Sequence, residues 1–253
     1  MALRLAVITD LHHGRDTGNV KGPQALAVLE DFARSAHAAE PDAVIELGDR
    51  LTDENPVTDR AHLLEVARVF KRLPYPRHHL TGNHDLLPQS DQEAILETTL
   101  ANHSAELNGW KLVFVDTFDG TTGGSVTDQT VQWLEAELRT ALPVAVFSHQ
   151  PLHGEWLSGN PYFESDYRDH ACPRGADAAR AVIEASKRVR VCIAGHAHWN
   201  DLRTVNGIPF VTLLSATESY WSRPEPSRAW ALFTLAERIH VDVYGAQPEQ
   251  YEF

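Results

Sequence analysis

The sequence predicts an α/β fold, and two observations carry the prediction. Short apolar, β-branched runs alternate with segments of helical spacing, which implies parallel sheet. Strand hairpins gather after residue 200, which adds an antiparallel portion to a mixed sheet or pair of sheets.

The elements follow in order. "LRLAVI" (3–8) reads as a buried strand. Residues 23–40 form an amphipathic helix with Leu26, Leu29, Phe32 and Ala33 on one face and Pro23 near its start. "AVIEL" (43–47) is a second strand, 59–73 a second helix, and "RHHL" (77–80) a short third strand. Residues 104–117 read as a hairpin about Asn108-Gly109. A capped helix over 127–142 precedes the strand "VAVFS" (144–148). A helix over 176–186 precedes the strand "RVRVCIA" (188–194). Hairpins over 201–216, about Asn206-Gly207, and over 228–245 close the chain. Residues 151–175 lack periodicity and are rich in Gly, Pro and aromatics, so they read as a lid or substrate loop of a single domain spanning 1–253.

The 253 residues can bury a core without disulfides, and the formal charge of −13 argues against stable binding to nucleic acid or anionic membranes. Bound cations can still invert the local potential for an anionic substrate. Two cysteines make no disulfide framework and no four-Cys zinc site. With no signal-type segment and no apolar stretch of membrane-spanning length, a cytoplasmic location is expected. Oligomeric state is not legible.

Chemistry-bearing residues follow five of the apolar strands. After 3–8 come Asp10 and His12; after 43–47, Asp49; after 77–80, Asn83, His84 and Asp85; after 144–148, His149; after 188–194, His196 and His198. Ligands of open α/β sheets bind at the carboxyl ends of strands, so these segments can converge. Imidazole, carboxylate and amide oxygen suit Mn, Fe, Zn or Co. The two-residue spacing of Asp10-x-His12 and His196-x-His198 lets both side chains of an extended segment point the same way. Asp10, His12, Asp49, Asn83, His149, His196 and His198 exceed one tetrahedral site and suit two ions sharing a carboxylate, roughly 3.5–4 Å apart.

In order, "DLH", "GD", "GNHD", the lone His149 and "GHAH" resemble the motif set of calcineurin-like metallophosphoesterases, most nearly small bacterial phosphodiesterases of the cyclic-nucleotide type. The resemblance runs from residue 3 to about 214. It implies a four-layer αββα sandwich of two mixed β-sheets flanked by helices, with a dinuclear centre at the strand ends. Carried over, Asp10, His12 and His198 hold one metal; Asn83, His149 and His196 hold the other; Asp49 bridges. His84 is the catalytic histidine, and Asp85 fixes its orientation.

The expected activity is a metal-dependent phosphodiesterase acting on a small diester, with a metal-bridging hydroxide as nucleophile and His84 as general acid. A phosphomonoesterase with the same centre and a non-catalytic metal-binding scaffold are the alternatives. A nuclease lacks the basic residues for a long backbone, with 22 Lys and Arg against 35 Asp and Glu. His13, Arg15, His153, Tyr162 and Phe163 are the candidate substrate contacts. His13 directly follows His12 and, in an extended segment, points away from it, either to the rim of the site or nowhere functional.

Overall fold

The structure, a computed structural model, describes residues 2–121, 123–163 and 168–253, with backbone alone at 168 and 169. Its elements run β1 (Leu3–Ile8), α1 (Ala25–Ala39), β2 (Ala43–Glu46), α2 (Pro56–Phe70), β3 (Arg77–His79), α3 (Gln89–Leu96), β4 (His103–Leu107) and β5 (Trp110–Val115). Then come α4 (Asp128–Glu137), β6 (Val144–Ser148), α5 (Arg168–Ala171), α6 (Ala176–Ser186), β7 (Val189–Ala194), β8 (Asp201–Val205), β9 (Ile208–Thr212), β10 (Trp230–Leu235), β11 (Ile239–Tyr244) and β12 (Glu249–Glu252).

Two six-stranded mixed sheets form, in the orders β12-β11-β10-β1-β2-β3 and β4-β5-β6-β7-β9-β8. In the first, β1, β2 and β3 are parallel and β10 is antiparallel to β1. In the second, β5, β6, β7 and β9 are parallel and flanked by antiparallel β4 and β8.

Side-chain alternation assigns the two faces of each sheet. Leu3, Leu5 and Val7 of β1 meet Leu112, Phe114, Ala145, Phe147 and Ile193 of the other sheet in one inter-sheet core. Ala6, Ile8 and Val44 face outward onto Val28, Leu29 and Phe32 of α1 and Val66 and Phe70 of α2. Val113, Val146 and Cys192 face outward onto Leu134 of α4 and Ile183 of α6. The result is the expected four-layer αββα sandwich. It also explains why the central strands are apolar without alternation: both faces are covered.

Some elements differ from expectation. The second helix begins at Pro56 rather than 59, because the Asn55 side chain accepts from the Val57 and Thr58 N–H groups and Pro56 occupies the first turn. Helix α3 is absent from the sequence reading; it is eight residues long, and its apolar Ile95 and Leu96 pack with Leu63 and Ala67 of α2. Strand β12 was also not expected. Its "EQYE" has only Tyr251 to face the core, as befits a polar sheet edge. The lid expectation for 151–175 includes 164–167, which lie outside the described residues.

Candidate metal centre

The carboxyl ends of β1, β2, β3, β6 and β7 bring all seven expected ligands into one buried region. The donor atoms of Asp10, His12 and His198 lie within 4.8 Å of one another, and so do those of Asp49, His149 and His196. Asp49 Oδ2 stands 3.7 Å from His12 Nε2 and 3.3 Å from His149 Nε2, between the two groups. Asn83 Oδ1 is 3.2 Å from the same His149 nitrogen.

Convergence does not come from extended backbone, as the two-residue spacing suggested. Asp10, His12, Asp49, His196 and His198 all have φ between 45° and 64°. A non-glycine residue in this left-handed region costs on the order of 1–2 kcal/mol, and such strain gathers at functional sites. Elsewhere positive φ marks helix ends such as Glu40 and Glu97 and the hairpin turns at Asn108 and Asn206. Two glycines allow the close approach this requires. A Cβ on Gly82 would overlap the Asp49 carboxylate and backbone N, and one on Gly195 would overlap Thr9 Oγ1 and Asp10 Oδ2.

Most imidazoles in the set are tethered through the nitrogen that faces away. His149 Nδ1 lies 2.9 Å from the Leu47 carbonyl, His198 Nδ1 3.1 Å from Glu218 Oε2, and His196 Nε2 2.7 Å from the His170 carbonyl. A donated ring N–H fixes the tautomer and orients the other nitrogen, as for metal-bound histidines generally. The carboxylates are held as well. Asp10 Oδ2 accepts from Thr9 Oγ1 and the His196 N–H, and Asp49 Oδ1 accepts from the His84 N–H.

Three features fit this donor set to metal. Asp10 Oδ1 is fully buried without a hydrogen-bond partner. The Nε2 atoms of His12 and His198 face each other at 3.1 Å, with Asp10 Oδ1 3.9 and 3.4 Å away. The electrostatics are those of a site that needs cations. Burial works against ionisation of Asp10, yet the adjacent His198 brings its pKa down to about 2. Burial likewise opposes charging of His198 and His149, but Asp10 and Glu218 lift the first to about 10 and Asp49 lifts the second to about 9. Burial dominates at His12 and His196, which fall to about 4 and about 3. The upward shifts at His198 and His149 thus favour a charged imidazole beside each carboxylate, a place a cation can take with release of the proton.

His84 stands beside this set, its ring 5.1 Å from that of His12. Its orientation differs from expectation. Asp85 does not contact the imidazole; its carboxylate is buried and accepts from the N–H groups of Asp49, Arg50, Leu51 and Gly82 and from the Arg50 guanidinium. It ties the "GDR" loop to the "GNHD" loop. Asp53 takes the orienting role instead, with Oδ1 2.7 Å from His84 Nδ1. Burial lowers the His84 pKa, but Asp49 and Asp53 outweigh it and the net shift is upward.

A cavity of about 320 Å³ opens onto the centre. His12, His84, His196 and His198 form its floor, and Arg15, Asn19, Val20, Asp53, Tyr162 and Phe163 contribute to its walls. Of the candidate substrate contacts, Arg15, Tyr162 and Phe163 reach this cavity. His13 and His153 do not. His13 is turned toward α2, where its Nε2 lies 2.8 Å from Glu65 Oε2. His153 is fully buried against Phe210 on the helix-covered face of the second sheet. The loop carrying Tyr162 and Phe163 is fastened by Asn160, whose Oδ1 accepts both their N–H groups and whose Nδ2 donates to the Ala197 carbonyl.

Sequence reading passed over Asp53 and Glu218. Asp53 lies four residues after Asp49 in the same loop, a legible proximity. Glu218 follows β9 in "SATES" and carried no motif. It accepts from Tyr162 Oη at 2.8 Å and so links the loop to the His198 ring.

Two face-to-face mixed sheets, outer helices and a histidine–carboxylate cluster at the strand ends define an α/β sandwich with a candidate metal centre. The calcineurin-like phosphoesterase family model matches residues 3–200. The chain belongs to that family. It is 34% identical over 175 residues to a glycerophosphodiester phosphodiesterase, GpdQ, of Enterobacter lignolyticus, covering 62% of this chain and 56% of the relative. The chain thus spans about half the length of that curated relative. In fold it is similar to a dimetal phosphatase from Danio rerio, with a TM-score of 0.82, 18% identity and 99% and 98% of the two chains covered. A purple acid phosphatase of yellow lupin gives a TM-score of 0.66 at 12% identity, covering 100% of this chain and 53% of that one.

Proposed function

We propose that the protein is a dinuclear phosphodiesterase acting on a small diester, with His84 as general acid. Asp10, His12 and His198 would hold one ion, Asn83, His149 and His196 the other, and Asp49 both. When bound, the pair supplies Lewis acidity and brings the pKa of water toward neutrality. Mn, Fe, Zn and Co all suit these donors.

The protein's own groups do the rest. Asp53 accepts from His84 Nδ1, which leaves Nε2 as the nitrogen able to donate. The raised His84 pKa keeps that proton available near neutral pH, where an alkoxide leaving group needs it. Asp53 stands outside the ligand set, so its support of the imidazolium persists when cations offset Asp49. Tyr162 and Phe163 line the cavity, and the described part of the 151–175 segment that carries them serves as a substrate loop.

The observation that carries the diester reading is the wall of the cavity. Arg15 is the one Lys or Arg among its described lining residues, and the rest of the wall presents Val20, Tyr162, Phe163 and small polar groups. A diester bears one negative charge and a second substituent, which this wall suits. A monoester dianion has no such substituent and calls for more cationic donors. Its similarity to a phosphodiesterase points the same way. A cytoplasmic setting suits the two buried cysteine thiols.

The test compares an aryl phosphodiester with its monoester under identical metal loading. The diester is expected to give a kcat/KM about tenfold or more higher, equivalent to about 1.4 kcal/mol of transition-state binding. A monoester preference would sink the proposal.

A further inference from the structure

We propose that His13, His62 and Glu65 form a separate site for a zinc-like divalent transition ion, on the far side of the His12 loop from the cavity. The donor atoms of the three residues lie within 4.8 Å of one another. His13 Nε2 is 2.8 Å from Glu65 Oε2, and the His13 and His62 rings meet at 4.4 Å between centroids, tilted by 46°. None of the three lines the cavity at the dinuclear centre.

The placement is built rather than accidental. His62 and Glu65 are three residues apart on α2 and so share one face of the helix. His13 reaches that face from the loop after β1, where its N–H donates to the Arg50 carbonyl and its carbonyl accepts from the Thr52 N–H. Its backbone is therefore fixed before any ion binds.

The side chains also signal an unmet need. His13 is 7% exposed, and its Nδ1 is buried without a hydrogen-bond partner. The same is true of His62 Nδ1. A buried polar atom left without a partner is costly, and here two imidazoles beside one carboxylate each leave one. Two imidazoles and a carboxylate are a known zinc donor set, with a fourth position left to water. Calcium and magnesium prefer all-oxygen surroundings and fit poorly. Glu65, with a 43% exposed side chain, offers the ion a path from solvent. Once bound, the ion would clip α2 to the loop that presents His12.

The measurement is zinc stoichiometry on the full chain. Metal-free wild type, His62→Ala and Glu65→Gln are titrated with Zn²⁺, and bound metal is counted by elemental analysis after gel filtration. Wild type is expected to retain one equivalent more than His62→Ala. Glu65→Gln keeps the side-chain shape and is expected to weaken that equivalent about tenfold or more. Circular dichroism matching wild type establishes that both variants are folded, which their partly exposed positions on one helix favour. Mg²⁺ in place of Zn²⁺ is expected to show no difference between wild type and variants. Equal zinc uptake by wild type and His62→Ala overturns the site. The reading rests on a difference between proteins and so does not depend on how many ions the cavity holds.

Discussion

In the proposed mechanism, His84 and Asp53 form the pair on which catalysis turns. Their 2.7 Å contact fixes the ring and favours its charged form. Activity from a general acid is lost as pH rises through the pKa of that acid. Asp53→Asn removes one of the three carboxylates that raise this pKa, so the alkaline limb of the kcat/KM profile should move to lower pH. We expect kcat to fall about 100-fold with metal content unchanged, since Asp53 is not among the ligands. An unshifted alkaline limb would remove Asp53 from the orienting role. At the same scale, residue type picked out seven ligand candidates that the fold brings together, but not the groups that support them. Asp85 follows His84 in the chain, yet its carboxylate is spent on four backbone N–H groups and Arg50. Adjacency in sequence says little about which atoms meet across a tight loop.

Strand ends are the working elements of this fold, and not every polar group there belongs to the site. Asp116 follows β5, where Phe118 N–H donates to its carboxylate at 3.0 Å. Burial dominates, with Glu93 adding to it, and pushes its pKa up to about 6 from an ordinary 3.8. The sign follows by linkage. The unfolded chain ionises first, so stability is fully present below about pH 4 and is lost as pH rises through about 6. Asp116→Asn keeps the acceptor without the charge. It should raise stability by about 2 kcal/mol at pH 8 and make little difference near pH 3, as followed by chemical denaturation. A gain equal at both pH values would assign the effect to packing instead. The strands themselves were legible, because β1, β2, β6 and β7 are apolar on both faces. Helix α3 and strand β12 were not, since short or polar elements owe their existence to the surfaces they cover.

Across the whole molecule the two sheets meet at the centre: Asp10, Asp49 and Asn83 come from one and His149, His196 and His198 from the other. Ions bound there would bind the folded chain and not the unfolded one, and so would stabilise it by mass action. At a free concentration 100 times Kd, each site contributes about 2.7 kcal/mol. Chelation should therefore lower Tm by roughly 10 °C, and added Mn²⁺ or Zn²⁺ should restore it. Asp49→Ala, which removes the carboxylate shared by both groups, should show little change with chelator. A Tm indifferent to chelation in wild type would separate the centre from the stability of the fold.

The sequence by itself determined the α/β class and the identity and order of the seven ligand candidates. Those properties depend on residue type and on strand polarity, and parallel strands bring their carboxyl ends together wherever they lie in the chain. Tertiary structure alone decided where side chains point after each strand stops. There the backbone turns into the left-handed region and alternation no longer applies, so His12 faces the centre while His13 faces α2. It also decided that Asp53, not Asp85, holds His84, and that Glu218 stands behind His198. Such contacts join residues from separate loops, and their distances are set only when the two sheets close on each other.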